Sequence, residues 1–96
     1  MSYGLNVTYQ VKPGQRQTFL DELSTAGIQR AVQGEAGCLQ YDYYLSAGTP
    51  DEVLLVEQWE SREAQQVHLS QPHMDTMREI KGRYVDDVRM LCYEIT

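Results

Sequence analysis

The stretch EQWESREAQQVHLSQPHM, residues 57–74, holds the only tryptophan of the chain and both of its histidines. It reads as the end of a strand (Glu57, Trp59), a cap (Ser61), a short helix carrying His68, a break at Pro72 and a second helix opened by His73. Strand residues two apart share a face, so Glu57 and Trp59 point the same way. Ala64, Val67, His68 and Gln71 recur at i, i+3, i+4 and i+7, which puts His68 on the stripe that an amphipathic helix turns inward. His73 starts a second stripe with Met77, Ile80 and Tyr84. A strand running straight into two helices with inward stripes calls for a sheet carrying its helices on one face, with Trp59 and His68 turned toward each other.

The rest of the chain supplies that sheet. Leu5, Val7, Tyr9 and Val11 alternate with Asn6, Thr8 and Gln10, the period of a half-buried strand. Lys12-Pro13-Gly14 ends it. Residues 15–33 read as a helix, with Leu20, Leu23, Gly27 and Ala31 along one side and Phe19 and Ile28 flanking. The interior Ala26-Gly27 pair marks a point where that helix kinks or ends early. Cys38 to Ser46 is rich in tyrosine and reads as a second strand, followed by the turn-prone Ala47-Gly48-Thr49-Pro50-Asp51. Glu52 to Glu60 has Val53, Leu54, Leu55 and Val56 in succession, so both faces of this third strand are apolar and need covering. Asp87 to Thr96 gives a last, two-sided strand. The order βαββαβ is that of an α+β, ferredoxin-like antiparallel sheet, in one domain spanning 1–96.

Net charge −6 opposes attraction to nucleic acid or anionic membranes, and no apolar stretch reaches the length of a membrane span. The N-terminus lacks a basic region followed by an apolar one, and the two cysteines, Cys38 and Cys92, fall in strand runs as reduced core thiols, so the expected location is cytoplasmic. A chain of 96 residues buries a limited fraction of its surface, and self-association would add to it. The expected assembly is a homodimer through the sheet face opposite the helices.

Glu57 is the unexpected residue, a carboxylate on the face of Val53, Leu55 and Trp59, where burial requires a partner. A histidine is the natural one, with a salt bridge to Arg62 or Arg78 as the alternative. Trp59 reads either as a packing anchor or as a pocket wall, His68 as a core histidine or a base, and His73 as a helix opener or a pocket residue. Glu57, His68 and His73 are the ligand types of a two-histidine, one-carboxylate metal site. Pro72 splits the two histidines between helices, however, and no single face holds both, so no metal is expected. No glycine-rich phosphate loop follows a strand, which leaves no sign of a flavin or nicotinamide.

Glu35 with Gly37-Cys38, Tyr41, Glu57-Gln58-Trp59-Glu60-Ser61, His68-Leu69 and Pro72-His73-Met74 together resemble the antibiotic-biosynthesis monooxygenase domain family. The resemblance runs from the Lys12-Pro13-Gly14 turn to the last strand. It implies a dimeric α/β barrel and a cofactor-independent monooxygenase acting on a quinol or polyphenol with O2. Haem breakdown by relatives of this fold uses an inward asparagine of the first strand, whereas Asn6 here falls on the more polar face. On this reading His68 is the base, Glu57 orients it, and Trp59, Tyr41, Tyr43 and His73 line the substrate site. Two other functions stay open: conversion of a small phosphorylated dicarbonyl, which needs a cationic wall from Arg30, Arg62 or Arg78, and ligand binding without turnover.

Overall fold

The computed structural model describes all residues from Met1 to Thr96. Its elements in chain order are β1 (Ser2–Val11), α1 (Arg16–Ala26), α2 (Ile28–Gln33), β2 (Cys38–Leu45), β3 (Glu52–Trp59), α3 (Arg62–Leu69), α4 (His73–Tyr84) and β4 (Val85–Ile95). The strands form one antiparallel sheet in the order β2-β3-β1-β4, which is the ferredoxin-like α+β arrangement expected.

Alternation along β1 decides which face is covered. Leu5, Val7, Tyr9 and Val11 are all buried, and their cross-strand neighbours on β3, including Val53, Leu55, Glu57 and Trp59, are buried beside them. Phe19, Leu23, Ile28 and Val32 from the first helical pair, and Met74, Met77 and Ile80 from α4, close over that face. Fully burying one such side chain stabilises by about 1.5–3 kcal/mol, so these helices hold to the sheet through their apolar stripes. The opposite face carries Asn6, Thr8, Leu54, Val56 and Gln58, all half-buried. There the Tyr93 ring lies over Gly4, where a Cβ would meet it at 2.5 Å, and the Tyr93 hydroxyl donates to Asn6 Oδ1 at 3.1 Å.

Residues 15–33 break at the Ala26-Gly27 pair as expected, because Gly27 takes φ +69°, a left-handed backbone that ends α1 by donating its N–H to Leu23 and Ser24 carbonyls and starts α2 at a new angle. Other expectations need correction. The inward residues of α3 are Gln65 and His68, while Val67 is 59% exposed. Of the expected stripe Ala64, Val67, His68 and Gln71, His68 is buried and Ala64 packs against the core, while Val67 turns to water and Gln65 is buried instead. The last strand begins at Val85, two residues before Asp87, where a bulge opposite Gln10 and Val11 lets the chain turn straight out of α4. Strand β4 was expected to need cover on both faces, yet within one chain it has little on either. Val88 (40% exposed) and Met90 (58%) lie on the helix side, and Leu91 (62%) lies on the other.

Candidate functional site

Trp59 ends β3, and Ser61 caps α3 by accepting the Ala64 N–H at 3.1 Å, as its residue type allows. Two turns later His68 faces back to the sheet, and its ring lies 4.7 Å, centroid to centroid, from the Trp59 ring. Tyr41 of β2 meets the same imidazole edge-on at 5.8 Å, and Tyr43 meets Tyr41 edge-on at 5.7 Å. Trp59, Tyr41 and His68 are all at most 2% exposed. The expected pairing of Trp59 with His68 is therefore present, and Tyr41 and Tyr43 extend it into a row of four rings.

The carboxylate on His68 is Glu35, not Glu57. His68 Nδ1 lies 2.9 Å from Glu35 Oε2, and His73 Nε2 lies 2.6 Å from the same oxygen. Glu35 sits in the turn between α2 and β2, where its own N–H bonds the Val32 carbonyl. The Glu60 N–H bonds the Gly37 carbonyl at 2.8 Å, pinning that turn to the start of α3. Gly37 takes φ +82°, and a Cβ there would lie 2.7 Å from the Ala64 Cβ, so only glycine lets the turn approach so closely. His73 reaches Glu35 because Ser70-Gln71-Pro72 forms a compact connection in which Gln71 N–H bonds the His68 carbonyl and Asp75 N–H bonds the Pro72 carbonyl. A proline that divides the helices in sequence thus folds their histidines onto one acceptor. These three donors, Glu35, His68 and His73, lie within 4.8 Å of one another and are the residues that could hold a metal ion.

Glu57 has a different role in the geometry. Its Oε1 accepts the Trp59 indole N–H at 3.0 Å, a bond between two buried side chains on one strand face. Burial holds its pKa above the ordinary carboxylate value, and the Trp59 bond and the nearby His68 offset part of that rise. Neither arginine offered as its partner is there. Arg62 lies over the Tyr3 ring at 5.3 Å, and Arg78 binds Asp75 and the Leu69 carbonyl.

Tyr41 and Tyr43 are kept as phenols. Burial raises Tyr41 well above its ordinary value and pushes Tyr43 up to about 12, the adjacent Tyr41 hydroxyl offsetting part of the latter. The Tyr43 hydroxyl is buried without a well-formed hydrogen bond. Cys38 is pushed up to about 11, first by burial and then by the charges of Glu35 and Glu57. Cys38 is half-buried on β2, Cys92 is exposed on β4, and both are free thiols. A cavity of about 570 Å³ opens between α1, α2 and β2, with Leu23, Gln29, Arg30, Gln33 and Tyr43 among its walls. His68 and Trp59 do not border it, so Tyr43 and Tyr41 stand between that cavity and the imidazole. Of the three arginines considered for a cationic wall, only Arg30 reaches this cavity.

Glu35 was named in the sequence only as part of a family pattern. Its one local signal is a carboxylate in a tight glycine-flanked turn just before a strand, which says nothing about its partner.

The chain and its fold have relatives among known proteins. Residues 2–80 match the family model described as antibiotic biosynthesis monooxygenase. The Escherichia coli K12 protein named probable quinol monooxygenase YgiN is 35% identical over 94 residues, covering 85% of this chain and 88% of that protein. Among solved structures, one from Nitrosomonas europaea is 20% identical with a TM-score of 0.87, covering 96% of this chain and 88% of that one. The Rv0793 protein of Mycobacterium tuberculosis is 24% identical with a TM-score of 0.85, covering 100% and 96%. The chain belongs to the antibiotic biosynthesis monooxygenase family.

Proposed function

We propose that the protein is a cofactor-independent monooxygenase that oxidises a quinol or polyphenol with O2. The observation that carries this reading is His68, a buried imidazole whose Nδ1 is held by Glu35 among aromatic rings. A phenolic hydroxyl with a pKa near 10 is roughly three units from neutrality, so forming its anion costs about 4 kcal/mol. With Nδ1–H donated to Glu35, His68 keeps Nε2 free to take that proton, and the carboxylate stabilises the imidazolium that results. The electrons for O2 come from the substrate anion. Trp59, Tyr41 and Tyr43 stack on the substrate ring, which enters from the cavity by displacing Tyr43. Glu57, committed to the Trp59 indole, contributes by holding that wall in place and by its charge facing His68. His73 shares the acceptor of His68 and tunes its charge.

The active form is a homodimer. Strand β4 leaves Val88 and Met90 open to water on its helix side and Leu91 on the opposite face, and a second copy that meets both faces of this edge strand removes that surface.

Oxygen uptake with a panel of hydroquinones tests the reading. His68→Ala should lower kcat/KM by about 100-fold or more, and Glu35→Gln by about 10-fold, with both proteins folded. Near-normal turnover by folded His68→Ala would return His68 to a packing role. Binding without oxygen uptake would favour a ligand-binding module, and turnover confined to a phosphorylated dione would favour the dicarbonyl reading.

A further inference from the structure

Two imidazole nitrogens and one carboxylate oxygen converge from three elements, namely the turn before β2, α3 and α4. They are the donors of a borderline transition metal, whereas Ca²⁺ and Mg²⁺ take oxygen donors. We propose that Glu35, His68 and His73 bind one divalent cation of the Zn²⁺, Co²⁺ or Fe²⁺ class in place of the hydrogens that now link them.

The electrostatics favour exchange. At 2.9 Å and 2.6 Å each contact holds a hydrogen, because bare lone pairs on nitrogen and carboxylate oxygen repel at that range. Taking those hydrogens away leaves three lone pairs and a negative charge aimed at one small volume, with the His68, Glu35 and His73 side chains only 2%, 10% and 24% exposed. A divalent cation relieves that repulsion and releases the protons as it binds. Glu57, buried beside Trp59, is a second acidic side chain on the same side of His68. No arginine or lysine is hydrogen-bonded to any of the three donors, so no cation is already installed. Bonds of about 2.0–2.1 Å to the metal set donor–donor edges near 3.0–3.4 Å, so the two contacts must open by some tenths of an ångström. His73, at the exposed start of α4, and Glu35, on a turn, are the groups that can yield. His68 is held by the Trp59 ring and stays put.

The ion would leave positions open to water, and it would also change the imidazole. A neutral ring with metal on Nδ1 carries its hydrogen on Nε2, so the metal-bound and proton-accepting states of His68 exclude each other.

Calorimetric titration of the chelator-treated full chain with ZnCl2, with CoCl2 to give a ligand-field spectrum and MgCl2 as control, tests the site. The expected result is one Zn²⁺ per chain, no Mg²⁺ binding, and about 100-fold weaker Zn²⁺ binding in both Glu35→Gln and His73→Gln, with Cys38→Ser unchanged. Absence of Zn²⁺ binding at about 100 µM, or binding by either variant as tight as that of the unaltered chain, would overturn it. The measurement uses no turnover, so a failed quinol assay leaves its outcome intact.

Discussion

Glu57 is a buried acid whose only hydrogen bond comes from an indole, and its raised pKa has a consequence for stability. The folded chain holds the Glu57 proton more tightly than the unfolded chain does. Its contribution is therefore full below the ordinary carboxylate pKa of 4.5 and is lost as pH rises through the raised folded value. A glutamine keeps the oxygen that accepts from Trp59 and removes the ionisation. Glu57→Gln should then match wild type near pH 4 and melt roughly 2–5 °C higher near pH 7. Thermal denaturation across that range checks it. A gap that widens toward acid would mean that Glu57 is stabilised as the anion by a partner, the role first expected of His68.

At the scale of elements, the site depends on one close approach, that of the Glu35 turn to α3. Gly37 and Gly27 both have positive φ, but a Cβ at Gly37 meets Ala64 at 2.7 Å, whereas one at Gly27 meets nothing within 4 Å. Comparing their alanine variants separates backbone strain from collision. Gly27→Ala should cost about 1–2 kcal/mol, the left-handed penalty alone, while Gly37→Ala should cost about 2–4 kcal/mol by adding overpacking. Urea unfolding measures both, and equal losses would show that the turn moves away from α3 freely. The helical layer has its own fastening on the far side, where the Tyr84 hydroxyl donates to Glu22 and the Phe19 and Tyr84 rings lie 6.2 Å apart. Helix α4, which carries His73, is thereby fastened to α1 as well as to the Glu35 turn.

For the whole molecule, one chain leaves an 11-residue edge strand with large apolar side chains on both faces. Such an edge invites pairing unless it is covered. Light scattering should find a dimer at micromolar concentration, and Met90→Asp with Leu91→Asp should shift it toward monomer while the single-chain sheet survives. A wild-type chain that sediments as a monomer would sink the dimer and leave Val88, Met90 and Leu91 without an explanation.

Local chemistry determines much of this protein. Alternation in residues 5–11, the capping serine at 61, Pro72 and the glycines are short-range signals, and they suffice for the βαββαβ order and for an inward His68 beside Trp59. Partner choice among buried polar groups was decided elsewhere. Glu57 stands two residues from Trp59 and seemed the obvious carboxylate for His68, yet it turns to the indole, while Glu35, 33 residues away, bonds the imidazole. Pro72 argued in the sequence that His68 and His73 are apart, and the compact turn around it brings them to one oxygen. Periodicity reports which way a side chain faces, because that is a property of its own element. Which side chain it meets depends on how turns such as Gly34–Gly37 and Ser70–Pro72 set separate elements against each other, and only the tertiary structure contains that distance.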